Sequence, residues 1–264
     1  MKKEYILVAV IIAVYFLSKK IGEPEKEAEE STGSATPPQN SSTENKEISK
    51  VDNVKYIDKI MREGWGIQSR PARIGILATI GKESNFVPKW ERGYSNTSNA
   101  RIRDIFPTKT SGVTDAQLTN LKKDDYTWFN FIYNGIIGNR PNTDDGFNFR
   151  GSGLNQLTGR ANYEKYAKKS GIDIVSNPNL NNNLDVATQT MLHFMYEGWN
   201  SSKGKAKLKA RGFDFVNSIN DIDWAIRFFC AINSGNGDIN GSRAKKAYAK
   251  AKPYQLTLEK IITQ

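Results

Sequence analysis

The chain has a single cysteine, Cys230, and a single histidine, His193, in 264 residues. One thiol cannot close a disulfide within the chain, and one histidine with one cysteine makes neither a His/Cys zinc constellation nor a Ser-His-Asp triad. Both lie in apolar helical texture, His193 in MLHFMYEGW and Cys230 in AIRFFCAI, so each reads as a packed side chain. Sustained period-2 alternation is also missing, as is any internal repeat. Apolar residues are scarce from Gly22 to Lys50, where Glu, Ser, Thr, Pro and Asn dominate. With almost nothing to bury, residues 22–50 read as a disordered linker.

Ahead of the linker, MKKEYILVAVIIAVYFLSKK is apolar from Tyr5 to Leu17, with lysines on both sides. As a helix this run spans about 20 Å, short of a hydrocarbon core of about 30 Å. No small-x-small cleavage pattern follows Leu17, and Lys19 and Lys20 can snorkel to headgroups, so residues 1–21 read as a membrane anchor. Lysines at both ends leave its orientation open. Residues 51–264 read as the globular, catalytic part.

Most of the net positive charge lies in that part. The chain is net +10, residues 19–50 are net −2, and residues 51–264 carry +11. Such a balance suits an anionic polymer, whether nucleic acid, acidic membrane or bacterial wall, and general solubility explains it as well. No nucleic-acid-binding motif accompanies the charge, so no nucleic-acid partner is expected. SSKGKAKLKARG, residues 201–212, is the densest basic stretch and reads as a mobile solvated loop. NGDINGSRAKKA, residues 236–247, imitates the start of a calcium loop but has Ala247 where a bidentate Glu is required, so no metal site is read there.

From Val51 the texture is mainly α-helical. In ARIGILATIGKES, Ile74, Leu77, Ala78 and Gly81 share one helical face, Ser69 and Pro71 mark a start, and Pro88 lies beyond the end. Further helices are expected near 115–123, 161–170, 185–198, 221–232 and 243–251. The helix of ARIGILATIGKES delivers Glu83 in its last turn, and Glu91 follows eight residues later in the loop GKESNFVPKWERGYSN. A carboxylate at the rim of an apolar helix, beside Ile80 and Phe86, has the surroundings of a general acid. A second, solvated carboxylate across a groove could hold a water, the pairing used in glycoside hydrolysis. Each is equally read as an ordinary surface glutamate. Trp65, Trp90, Tyr94, Trp128, Phe147 and Phe149 offer flat faces for sugar rings or for core packing.

Residues 144–163 read DDGFNFRGSGLNQLTGRANY, with glycines 146, 151, 153 and 159 among amides and aromatics. A helix would lose about 1 kcal/mol at each glycine, so the stretch reads as backbone shaped to present polar side chains. It resembles the signature segment of family 19 glycoside hydrolases, a group of chitinases and wall-degrading enzymes. The match runs through Asp144, Asp145, Gly146 and Phe147, then Arg150, Gly151, Gly153, Gln156, Leu157, Thr158, Gly159, Arg160, Asn162 and Tyr163. ILATIGKESNF resembles the family's catalytic helix, with Lys82 in place of its histidine. FFCAINSGNG resembles a later sugar-binding segment, with Ser234 in place of a glycine.

The resemblance covers about residues 60–250 and implies a lysozyme-like α-helical domain with a substrate cleft. It implies Glu83 as general acid, Glu91 as general base and Thr158 as the hydroxyl that helps hold the attacking water. Gln156, Asn162 and Asn233 match sugar-binding groups, and Tyr163, Tyr94 and Phe149 are further candidates for substrate contact. Arg150 and Arg160 are expected to brace the loop. The implied reaction is single displacement with inversion, without cofactor. An anchor, a tether and a basic domain favour peptidoglycan over chitin, in a membrane protein whose catalytic domain faces the wall of a bacterium or of a virus's host. Chitin hydrolysis, lytic transglycosylation through Glu83 alone and non-catalytic wall binding are the alternatives.

Overall fold

The computed structural model describes residues 41–235 and 238–263. The expected anchor and residues 22–40 of the expected linker lie outside the described residues. Among the described residues the chain is mainly helical, with no strand beyond one isolated antiparallel bridge between Ser152 and Leu157. No helix among them is long and apolar enough to cross a membrane. The boundary read at residue 50 falls inside a helix, Ser41–Lys59, which passes into a π-helical turn, Ile60–Gly64. Val54, Ile57, Ile60 and Met61 are buried, which ties this helix into the main core.

The Arg70–Ser84 helix forms the centre of that core. Ser69 starts it by accepting from the Ala72 amide, Pro71 sits in the first turn, and Asn85 ends it in the left-handed conformation. Every residue from Ala72 to Gly81 is buried, so the expected stripe of Ile74, Leu77, Ala78 and Gly81 is only one side of a helix covered all round. Helices Ile222–Asn233, Ser242–Ala251 and Gln255–Ile261 pack against it. Gly75 permits the closest approach: a Cβ there would lie 2.8 Å from both the Ala225 carbonyl carbon and the Phe229 ring. Arg73, 1 % exposed, is fully partnered inside this core. It donates to Asp58 Oδ1 at 2.7 Å and to the carbonyls of Gln68 at 2.5 Å and Thr263 at 3.0 Å.

Two smaller cores flank the main one. Ile102, Leu118, Trp128, Phe129 and Ile132 gather helices Asn99–Ile105, Asp115–Leu121 and Asp125–Tyr133. Phe149, Leu157, Tyr163, Tyr166, Ile174 and Val186 lie under the glycine-punctuated stretch. The helices expected near 115, 161, 185, 221 and 243 are Asp115–Leu121, Arg160–Ser170, Leu184–Asn200, Ile222–Asn233 and Ser242–Ala251. The basic stretch read as a solvated loop is instead largely helical, Ser202–Ala210. Ser201 caps it by accepting from the Gly204 amide, and Leu208, the one large apolar side chain in the run, is buried.

Candidate active site

Glu83 is the penultimate residue of the central helix, with 23 % of its side chain exposed. Its Oε1 accepts from the Lys82 ammonium and, at 2.5 Å, from Asn233 Nδ2. Asn233 closes the Ile222–Asn233 helix, so the packing of two core helices sets this contact. An apolar rim beside Ile80 and Phe86 was expected. The nearest groups are a cation and an amide, while Ile80 and Phe86 are buried beneath.

The chain leaves this helix through a strained turn. Asn85 and Phe86 have φ of 54° and 63°, and the left-handed region is unusual for a residue as bulky as Phe86. The Phe86 ring packs edge-on to Tyr254 at 5.5 Å, and its carbonyl accepts from Asn53 Nδ2 at 3.0 Å. These contacts hold the turn from both sides and direct the chain toward Glu91.

Glu91 is held by three separate parts of the chain. Its backbone N–H donates to the Gly151 carbonyl at 2.6 Å, and the Gly151 amide donates back to Oε2 at 3.2 Å. The Tyr94 hydroxyl donates to Oε1 at 2.8 Å. The Tyr133 hydroxyl reaches Oε1 at 3.1 Å and Oε2 at 2.9 Å. Burial, and then the Glu91 carboxylate itself, push both phenols well above the usual tyrosine range, so both act as O–H donors. These three donors make four contacts, two on each oxygen of a carboxylate that has about four acceptor sites. Gly151 has little space for a side chain, since a Cβ there would lie 3.1 Å from Glu91 Oε2. Gln156, at φ 54°, clips the Glu91 loop to the turn by donating from Nε2 to the carbonyls of Lys89 at 3.0 Å and Gly153 at 3.3 Å.

Within the glycine-punctuated stretch, charge pairs act as braces. Asp145, 2 % exposed, is gripped by Arg160 through Nε and Nη2, both at 2.7 Å, and by Arg140 at 3.0 and 3.1 Å. The Arg160 guanidinium, opposed by burial and assisted by Arg140, holds its carboxyl well below the usual range. Both of its oxygens are committed, which removes Asp145 as a substitute base. The Arg150 guanidinium lies 4.1 Å from the Trp90 ring and 3.9 Å from the Phe147 ring, and Nη1 donates to the Phe147 carbonyl at 2.6 Å. The Thr158 hydroxyl donates to the Gln156 carbonyl at 3.0 Å, and Asn162 Nδ2 donates to the Thr158 carbonyl at 2.7 Å.

Two expected substrate contacts require correction. Phe149 is 2 % exposed and Tyr163 is fully buried. Their rings pack edge-on at 5.0 Å, and the Tyr163 hydroxyl is used by Ser152 Oγ at 2.5 Å and the Arg150 carbonyl at 3.2 Å. They pack within the core under the turn and leave almost no surface for a ligand. Trp128 is likewise buried. The remaining candidates fall into three contact groups: Glu83 with Asn233, Glu91 with Tyr94 and Gln156, and Thr158 with Asn162. Tyr133 was not among the candidates. Its helix was recoverable from Asp124, which caps the Thr127 amide at 2.7 Å, and from the spacing of Trp128, Phe129 and Ile132.

Compared with models of known protein families and with curated proteins, the chain matches none.

Proposed function

We propose that the chain is an inverting glycosidase of peptidoglycan β-1,4 bonds, with Glu83 as acid and Glu91 as base, in a lysozyme-like helical domain tethered to a membrane by residues 1–21 and facing the wall. One observation carries the reading: the motif-bearing segments converge on the two glutamates. Asn233, from the later segment, bonds Glu83 Oε1, and Gly151, from the glycine-punctuated stretch, bonds Glu91 Oε2.

In this reading Glu83 gives its proton to the departing glycosidic oxygen. Both protein contacts fall on Oε1, so Oε2 is the oxygen that faces the leaving group. Water attacks the anomeric carbon from the opposite side and loses a proton to Glu91, which two phenols and one amide keep in a single orientation. Because the Thr158 hydroxyl proton is committed to the Gln156 carbonyl, this side chain receives a hydrogen bond from the water. Gln156 and Asn162 hold the wall of the site in shape, and Asn233 orients the acid.

The test is turnover of purified peptidoglycan by the wild type, Glu83→Gln and Glu91→Gln, with products read by mass spectrometry. Hydrolytic products, their near-complete loss in Glu83→Gln and a large loss in Glu91→Gln are expected. An anhydro product that persists in Glu91→Gln would mean lytic transglycosylation, and cleavage of chitin oligomers with peptidoglycan left intact would mean a chitinase.

A further inference from the structure

A pocket of about 140 Å³ opens beside the turn that follows Asn233. Ile232 and Gly235, which bracket Asn233 in the chain and are joined by a 3.0 Å hydrogen bond from the Gly235 amide to the Ile232 carbonyl, form one wall. Phe228, one helical turn earlier, lies beside them. Ser201, Lys203 and Gly204, at the start of the Ser202–Ala210 helix, form the other wall. The residue that holds Glu83 is therefore part of the turn that lines this pocket.

The chemistry of the lining is narrow. Phe228 and Ile232 are apolar and buried. The Ser201 hydroxyl is used internally, donating to the Gly198 carbonyl at 2.7 Å and accepting from the Gly204 amide at 3.0 Å. Lys203 is the one charged side chain, it is exposed, and among the described residues no carboxylate pairs with it. Lys205, Lys207 and Lys209 on the same helix likewise have no carboxylate partner among the described residues; Lys205 and Lys209 are exposed and Lys207 is half-buried. A small cavity with an apolar floor and a cation at its rim fits a short branch that ends in a carboxylate.

Resting on the glycosidase reading, we infer that this pocket receives the acidic peptide branch of a peptide-bearing glycan, with Lys203 pairing with its carboxylate. An unbranched N-acetylated glycan is uncharged and has nothing to offer that ammonium. The pocket thus selects the peptide-substituted polymer at the site of cleavage, and the lysines that follow Lys203 add a positive field that draws an acidic strand toward it.

The experiment compares kcat/KM on a peptide-bearing glycan and on an unbranched, uncharged N-acetylated glycan of the same length, for wild type, Lys203→Gln and Lys203→Arg. The wild type is expected to prefer the peptide-bearing glycan. The ratio of the two values should fall about two- to fivefold in Lys203→Gln, the scale of one ion pair at an exposed site, and be largely restored in Lys203→Arg. The preference should also weaken as salt is raised. A ratio unchanged by Lys203→Gln, or a wild type with no preference, overturns the inference while leaving the glycosidase reading intact. A wild type that cleaves neither glycan removes the glycosidase reading. Nuclear magnetic resonance with a soluble acidic stem peptide then decides the pocket: shifts at Gly198, Gly204 and Gly235 that vanish in Lys203→Gln support it, and their absence in the wild type overturns it.

Discussion

The Tyr133 hydroxyl bridges both oxygens of the Glu91 carboxylate, at 3.1 and 2.9 Å, across 42 residues of sequence. One phenol, fixed at the end of an aromatic helix, thereby sets the plane in which that carboxylate lies. In the proposed reaction this plane decides where an incoming water meets the base.

Tyr133→Phe removes the bridge and keeps the ring that stacks on Phe129. We expect kcat to fall about tenfold, the scale of one hydrogen bond to a charged group, with little change in KM. Thermal denaturation should show a small shift. A rise in KM with kcat unchanged would assign Tyr133 to substrate binding.

Gly75→Ala places a methyl group against the Ala225 backbone and the Phe229 ring. Overpacking of this kind costs about 1–3 kcal/mol. The helices being pushed apart carry Glu83 and Asn233, so turnover should fall by more than the loss of folded protein explains. Denaturant unfolding and kinetics on the same preparation separate the two effects.

Arg73→Ala removes one of the two guanidinium groups on buried Asp58, leaving Arg62 at 3.1 Å on the other oxygen, and strips a donor from the Gln68 and Thr263 carbonyls. A destabilisation of about 2–3 kcal/mol is expected in urea unfolding, the scale of buried acceptors left short of a donor. Arg73→Lys should recover only part of it, because one ammonium cannot reach all three acceptors in the guanidinium's geometry.

His193 gives stability a dependence on pH. Its ring meets Trp65 edge-on at 4.8 Å, and its buried Nε2 has no hydrogen-bond partner. Burial, and then the nearby Lys169 ammonium, lower its pKa to about 4, against a smaller opposing effect of Glu197. The unfolded chain takes up this proton near pH 6.5 and the folded chain only near 4, so the contribution is intact above 6.5 and lost as pH falls toward 4. The gap is worth about 3 kcal/mol. His193→Phe should therefore lose less stability than the wild type between pH 7 and 4, as measured by denaturant unfolding at each pH.

Local signals explain which parts of this molecule were legible beforehand. The Ser69 cap, Pro71 and the apolar spacing from Ile74 to Gly81 lie within one segment, and they located the central helix and brought Glu83 to its end. The lysine-rich stretch was misread because charge composition outweighed two local facts, the Ser201 cap and the single buried Leu208. The glycine-punctuated stretch, read as irregular backbone, is so from Phe149 to Gly159, whereas Asp145–Asn148 forms a short helix that includes Gly146, and Arg160 does brace the stretch.

The sequence by itself determined the helical character, the positions of the principal helices and the polar turn, because caps, periodicity and glycine act over a few residues. Tertiary structure alone decided that Phe149 and Tyr163 point down, that Tyr133 reaches Glu91, that Lys82 and Asn233 share Glu83 Oε1, and that Arg73 is buried. In irregular backbone no period tells a ring which way to face. A contact between distant segments exists only once the helices between them have packed and the burial of their apolar faces has fixed the geometry.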